Sequence, residues 1–175
     1  MKPLIDQLAQ YGSYHRDARN ILTHFFGVPM ILLAVVILLS RPMLLSSGGD
    51  TGINPAMVVT GLAALYYLRL DLRYGSVLVL ILAVMVVLGT WLAQWPTAVW
   101  LGWGVGLFVA GWIIQFVGHY WEGRKPAFMD DIVGLLIGPL FVLAEMGFAL
   151  GWRKDVQQAV EQRCGPVRQP SRMTG

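Results

Sequence analysis

The stretch ILTHFFGVPMILLAVVILLS, residues 21–40, decides the fold class of this chain. At a rise of about 1.5 Å per residue it would form a helix about 30 Å long, which is the thickness of the hydrocarbon core of a bilayer. The run ends at Arg41 and Pro42, a charged residue followed by one that cannot continue a helix. We therefore interpret Ile21–Ser40 as a transmembrane helix.

More apolar segments follow, and they are Pro55 to about Leu70, Ser76 to Ala93, Ala98 to Trp121 and Ile132 to Trp152. The last one contains Pro139, which removes a backbone hydrogen bond, and Glu145, an ionisable group that needs a partner or a cavity within lipid. This segment either spans the membrane with a kink or re-enters on the side from which it came. The sequence thus predicts an all-α integral membrane protein, a bundle of four to five transmembrane helices in which the last segment is spanning or re-entrant.

Composition supports one membrane domain. Of 175 residues, 56% are hydrophobic and 13% are charged, whereas a soluble domain carries about 25% charged residues. We expect a single transmembrane helical domain over residues 1–152, preceded at residues 3–11 by a short amphipathic helix lying in the membrane interface, with Leu4, Leu8 and Tyr11 on one face. Residues 153–175 are expected to form a polar basic tail that is disordered near its end.

The loops differ in their content of lysine and arginine, and this difference predicts the orientation. One side of the membrane carries Lys2, Arg16, Arg19, Arg69, Arg73, Arg124 and Lys125. The other side carries only Arg41 and the uncharged turn Gln94–Thr97. The positive-inside rule places the first side, and with it the N-terminus, in the cytoplasm. The membrane would be the plasma membrane of a bacterium or the endoplasmic reticulum of a eukaryote. The basic residues of the tail prefer the same side, which favours the re-entrant alternative.

All three histidines of the chain fall on this side. His15 and His24 lie at the start of the first span, and His119 lies at the end of the fourth. Neutral imidazole is a common ligand for iron, zinc and copper, so we predict a metal site; the alternative is that the histidines face lipid headgroups. His15 precedes His24 by nine residues, so the two would point in opposite directions on an unbroken helix. Both can bind one metal only if the helix begins between them, with Asp17 as its N-cap.

Other residues sharpen or limit this site. Asn20 shares a helical face with His24, and Glu122 shares one with His119, where it could bind a metal or orient an imidazole. Farther along the fourth span, Gly102 and Gly106 favour close helix packing rather than a nucleotide loop. The net charge of +3, without a basic and aromatic platform, makes the lipid bilayer an expected partner and argues against nucleic acid.

Two motifs resemble a known family. They are Tyr14-His-Arg-Asp-Ala-Arg-Asn20, continuing to His24-Phe-Phe-Gly-Val-Pro29, and Gln115-Phe-Val-Gly-His-Tyr-Trp-Glu-Gly-Arg-Lys-Pro-Ala127. They resemble the small membrane family of 2-hydroxy fatty acid dioxygenases that act in phytosphingosine breakdown. The order of the motifs and the spans between them match over most of the chain.

The resemblance implies an iron(II)-dependent oxidoreductase that uses O2 to shorten a 2-hydroxy fatty acid by one carbon, which is alpha-oxidation. It implies that His15, His24 and His119 bind Fe2+. Asn20, Glu122 and Arg124 are the residues expected to take part in catalysis. The candidates for holding the substrate carboxylate are Arg16, Arg19, Arg124 and Lys125. The oligomeric state stays open, a homo-oligomer included.

Two other classes of function remain open on the residues alone. In a membrane electron carrier, His24 and His119 would be the axial ligands of a haem, which a strong Soret absorption would reveal. In a scaffold or transporter without catalysis, the histidines would contact headgroups, and the purified protein would contain no metal.

Overall fold

The structure is a computed structural model, and it describes residues 3–46, 52–129 and 133–169. The elements are α1 (Leu4–Gly12), α2 (Ala18–Ser40), β1 (Leu45–Ser46), β2 (Gly52–Ile53), α3 (Pro55–Leu70), α4 (Leu72–Ala93), α5 (Thr97–Glu122), a 3-10 turn (Ala127–Met129), α6 (Val133–Ala149) and α7 (Lys154–Cys164). The two short strands pair antiparallel, Leu45 with Ile53.

Helices α2, α4 and α5 are long and apolar enough to cross a membrane. Helix α3 is apolar but has only 16 residues, so it is about 24 Å long and shorter than the hydrocarbon core. Helices α6 and α7 together would make a fourth crossing, but they are bent by 115°. The prediction of an all-α integral membrane protein is confirmed, with three to four helices of spanning length in the described part of the chain.

Two helices begin three or four residues earlier than hydropathy predicts, and each begins directly after a capping aspartate. Helix α4 begins at Leu72 rather than Ser76, because the Asp71 carboxylate accepts the backbone N–H groups of Arg73 and Tyr74, both at 2.9 Å. A single residue, Asp71, therefore joins α3 to α4 in a tight helical hairpin. Helix α2 likewise begins at Ala18, directly after Asp17.

The chain divides into two compact units, Pro29–Trp112 and the remainder, Met1–Val28 with Ile113–Gly175. Within Pro29–Trp112, the packing glycine of α5 is Gly104, where an added Cβ would lie 2.5 Å from the side chain of Leu38. At Gly102 and Gly106 an added Cβ would meet no atom of the described residues within 4 Å. The predicted packing through Gly102 and Gly106 is therefore wrong, because the contact face of α5 is turned toward Gly104.

The other unit is built around the N-terminal segment. Helix α1 packs on α6 and α7, and Leu4, Leu8 and Tyr11 are all buried. The apolar face of the predicted amphipathic helix thus packs against protein, and the location of α1 in the membrane interface stays a prediction. Helix α7 falls in the segment that we expected to be only a polar tail; the predicted disorder near residue 175 lies outside the described residues.

The last apolar segment folds back toward the N-terminal segment. Its predicted first residue, Ile132, is outside the described residues, and α6 begins at Val133 with Pro139 inside it. Arg16 donates hydrogen bonds both to Glu145, near the end of α6, and to the Gly165 carbonyl, just after α7. The chain from Glu145 to Gly165 therefore turns back, so that both of its ends contact the Arg16 guanidinium. This favours the re-entrant alternative over a complete crossing.

Candidate metal centre

Three imidazoles meet in the unit formed by the N-terminal segment and residues 113–169. His15 lies between α1 and α2, His24 lies in α2, and His119 lies in the last turn of α5. The ring centroids are 4.5, 4.9 and 5.1 Å apart in the three pairs. One nitrogen from each ring lies within 4.8 Å of the others, and all three residues are buried. The predicted ligands therefore come together at one point.

The helix begins between His15 and His24, as their joint use requires. The Asp17 carbonyl accepts the N–H of Ile21 at 3.1 Å, and its carboxylate accepts the N–H of Arg19 at 2.9 Å. These are the contacts of an N-cap residue. Because His15 lies before the start of α2, helical periodicity does not fix the direction of its side chain, and its ring lies next to that of His24.

Hydrogen bonds define which nitrogens face the centre. His15 Nδ1 lies 2.8 Å from the Tyr11 carbonyl, and His24 Nδ1 lies 2.8 Å from the Asn20 carbonyl. Since a carbonyl only accepts, both Nδ1 atoms carry hydrogen, and in neutral rings both Nε2 atoms present lone pairs. These Nε2 atoms face each other at 3.2 Å. Two lone pairs at that distance repel each other unless a cation lies between them.

This arrangement fits a metal ion. Two imidazole nitrogens bound to one ion at about 2.0–2.1 Å are about 3.0–3.4 Å apart, which includes the observed separation. Donation of the second ring nitrogen to a carbonyl is the usual support of a ligating histidine. His119 Nδ1 is also buried and has no hydrogen-bond partner among the described residues. The residues present could therefore hold a metal through three neutral imidazoles.

The surroundings of His15 keep its ring neutral. Burial lowers the pKa of His15 well below its usual value, and the nearby His24 lowers it further. The Tyr11 ring stacks on His15 with centroids 4.2 Å apart and planes 5° from parallel. A neutral, stacked imidazole is both in the form that binds metal and fixed in orientation.

Gly118 sets how closely α5 approaches α2 at the centre. A Cβ at this position would overlap Thr23 Oγ1 and would lie 2.5 Å from Asn20 Oδ1. Glycine allows this approach without displacing the side chains of Thr23 and Asn20, and the next residue is His119. This role of Gly118 was not predicted from the sequence, although a glycine inside a helix directly before a candidate ligand is a signal for it.

Glu122 connects α5 to the segment that carries His15. Its Oε2 accepts the N–H groups of Arg16 and Asp17, at 3.0 and 2.8 Å, and the side-chain amide of Asn20 at 3.1 Å. Its Oε1 accepts a hydrogen bond from Arg168 at 2.6 Å. These donors occupy both carboxylate oxygens. In the described residues Glu122 therefore holds backbone in place, and it is not one of the three residues grouped at the centre.

The other two predicted catalytic residues lie beside this network. Asn20 is fully buried, and its carbonyl accepts the Nδ1 hydrogen of His24. Arg124 is exposed, donates to the Ser13 carbonyl at 2.7 Å and lies 5.7 Å over the Tyr14 ring. Arg124 thus contacts the segment that leads to His15.

Arg16 and Glu145 form a buried ion pair that sequence reasoning found only in part. Their closest N–O distance is 3.1 Å, and their side chains are 7% and 10% exposed. Arg16 Nε also donates to the carbonyls of Gly12 and His15, at 2.7 and 2.9 Å. Glu145 was predicted to need a partner, and this is confirmed, but nothing in the sequence identifies Arg16 as that partner.

The fold and the three-histidine centre define a class of membrane protein. The chain belongs to the Mpo1-like family, described as 2-hydroxy-palmitic acid dioxygenase Mpo1-like, which matches residues 1–150. This confirms the resemblance based on the two motifs. The chain is similar to the 2-hydroxy-palmitic acid dioxygenase MPO1 of Saccharomyces cerevisiae, with 32% identity over 160 residues, 90% of this chain and 87% of the yeast protein. No solved structure matches.

Proposed function

We propose that this protein is an iron(II)-dependent dioxygenase that shortens 2-hydroxy fatty acids by one carbon at the cytoplasmic face of its membrane. The observation that carries the proposal is the 3.2 Å separation of the Nε2 atoms of His15 and His24, beside His119. Family membership and the dioxygenase activity named for the yeast relative support the reaction class.

Three protein ligands suit this chemistry. His15, His24 and His119 would hold a ferrous ion as three protein ligands, and the bound ion would supply the redox chemistry with dioxygen and a binding point for the carboxylate and 2-hydroxyl oxygens of the substrate. In the overall reaction, the 2-hydroxy acid and O2 give the acid one carbon shorter, carbon dioxide and water. The neutral imidazoles add no negative charge to the centre, which favours binding of an anionic substrate.

The three arginines among the candidates differ in their availability to the substrate carboxylate. Arg16 is engaged by Glu145, and Arg19 by Asp17 at 2.8 Å. Arg124 is exposed and bonded to a carbonyl, so its guanidinium keeps donors for a carboxylate. We assign substrate binding to Arg124, and support of the ligand-bearing backbone to Asn20 and Glu122.

The haem alternative fits this geometry poorly. The axial ligands of a haem face each other across the porphyrin plane. Here the His24 and His119 rings are 5.1 Å apart, and the His15 ring lies 4.5 and 4.9 Å from them. A porphyrin plane between the His24 and His119 rings would therefore collide with the His15 ring.

The test is metal content together with oxygen consumption. Purified protein loaded anaerobically with Fe2+ should consume O2 with 2-hydroxypalmitic acid and form pentadecanoic acid. Palmitic and 3-hydroxypalmitic acids are the matched controls and should react poorly, because each lacks the 2-hydroxyl that completes the chelate. Zinc-loaded protein should be inactive. Equal turnover of palmitic acid, or turnover without iron, would refute the proposal.

A further inference from the structure

A short segment after α7 crosses the beginning of α2. Gly165 turns the chain with a φ of +83°, a conformation that favours glycine. Arg168 then pairs with the residues that follow His15: its N–H donates to the Arg16 carbonyl at 2.6 Å, and its carbonyl accepts the N–H of Ala18 at 3.0 Å. We call residues 165–169 the strap.

The strap also closes the network around Glu122. The Arg168 side chain is 64% exposed, whereas the Glu122 side chain is 1% exposed. The guanidinium therefore covers a buried carboxylate from outside and bonds its Oε1 at 2.6 Å. The other oxygen of the same carboxylate holds the backbone N–H groups of Arg16 and Asp17.

These contacts converge on the backbone next to one imidazole. Arg16, the residue after His15, is held at its N–H by Glu122, at its carbonyl by Arg168, and at its guanidinium by Gly165 and Glu145. His15 is the one ligand of the three that lies outside a spanning helix. Its position therefore depends on these tertiary contacts more than the positions of His24 and His119 do.

We propose that the strap holds His15 in the metal centre and that Arg168 is a positioning residue acting through Glu122. Without the Arg168 guanidinium, Glu122 keeps a buried negative charge with Oε1 unpaired, so the carboxylate that holds the N–H groups of Arg16 and Asp17 is no longer fixed from outside. The strap lies beyond residues 1–150, the part of the chain that the family model matches. The inference rests on the proposed metal site, and its test separates the two.

The experiment compares Arg168→Ala with Arg163→Ala in the full-length protein. Arg163 forms an ion pair with Asp6, so the control also removes one arginine and one ion pair near the end of α7. Metal-stripped protein in detergent is titrated anaerobically with Fe2+, and the melting temperature is measured in parallel. Arg168→Ala should weaken Fe2+ binding about 10–100-fold, the usual effect of losing an outer support of a ligand, and Arg163→Ala should leave it unchanged. Arg168→Lys should recover most of the affinity because it restores a cation beside Glu122.

Two further measurements distinguish positioning from general stability. At saturating Fe2+, kcat of Arg168→Ala should approach the wild-type value while the iron requirement rises. The double variant Arg168→Ala/Glu122→Gln should lose less Fe2+ affinity than the sum of the losses in the two single variants, since both substitutions act through one contact. Wild-type affinity in Arg168→Ala, or an equal loss in Arg163→Ala, would overturn the strap. A wild-type protein that binds no metal would instead overturn the proposed function.

Discussion

Replacing Gly118 with alanine should separate the metal ligands without touching any of them. The added Cβ would overlap Thr23 Oγ1 and would lie 2.5 Å from Asn20 Oδ1 and 3.2 Å from Thr23 Cβ, whereas ordinary contacts begin at 3.4 Å, so these side chains must rotate or α5 and α2 must move apart at this level. Metal–ligand distances tolerate changes of only about 0.2 Å. His119 is the next residue, so it should be carried out of range of an ion held by His15 and His24.

We expect Gly118→Ala to weaken Fe2+ binding by at least about tenfold and to cost about 1–3 kcal/mol of stability, the usual penalty for overpacking. Gly102→Ala is the matched control, because it makes the same change on the same helix where an added Cβ meets no described atom within 4 Å. The control should bind iron normally and gain up to about 1 kcal/mol from helix propensity.

The assay is anaerobic Fe2+ titration together with thermal unfolding of both variants. Thr23→Ala removes the hydroxyl that the new methyl group would overlap. The double variant Gly118→Ala/Thr23→Ala should therefore recover part of the Fe2+ affinity. Wild-type iron affinity in Gly118→Ala, or an equal loss of affinity in Gly102→Ala, would contradict this role of Gly118.

Three other predictions test the ion pair, the buried imidazole and the orientation. Glu145→Gln should lower the unfolding free energy by about 3 kcal/mol, because it leaves the buried Arg16 charge without a counter-ion; a loss below 1 kcal/mol in denaturant unfolding would contradict this. Because the pKa of His15 is lowered on folding, the unfolded chain binds more protons below about pH 6.5. Metal-free protein should therefore keep its stability above that pH and lose it as pH falls further, and a His15→Gln variant should show a smaller fall in melting temperature. Reporters fused at Gln94 and Lys125 should lie outside and in the cytoplasm respectively; the same side for both would contradict the predicted topology.

Hydropathy and helix periodicity predicted most of the fold because lipid imposes simple rules on spanning segments. Helix α3 has the predicted bounds, Pro55 and Leu70, since proline and the Asn54 cap determine its beginning. The bend after α6 was not predictable in the same way. It depends on the return of Gly165 to Arg16, a contact between positions 149 residues apart that no local pattern encodes.

In the candidate site, too, the features that follow from local sequence were predictable, and those that depend on tertiary contacts were not. Three histidines on one predicted side could be found by counting, and the Asp17 cap could be stated as a condition for their convergence. The contacts of Glu122 could not be found, because a carboxylate at a helix end has the same sequence signature whether it binds metal, water or backbone. The roles of Gly118 and Arg168 likewise come from neighbours in space, namely Asn20 and Glu122.

The dependence of His15 on the strap has a consequence for how the protein is made. At about 5–20 residues per second, a ribosome needs roughly 7–30 s to pass from Arg16 to Gly165, which are 149 positions apart. During that interval the segment that carries His15 lacks its contacts with Gly165 and Arg168, although α2, α4 and α5 have already been synthesised. Iron delivered early would meet a site with a loosely held ligand, so stable loading should follow translation of the strap. Nascent chains arrested before residue 165 should accordingly release iron faster than chains that extend past residue 169.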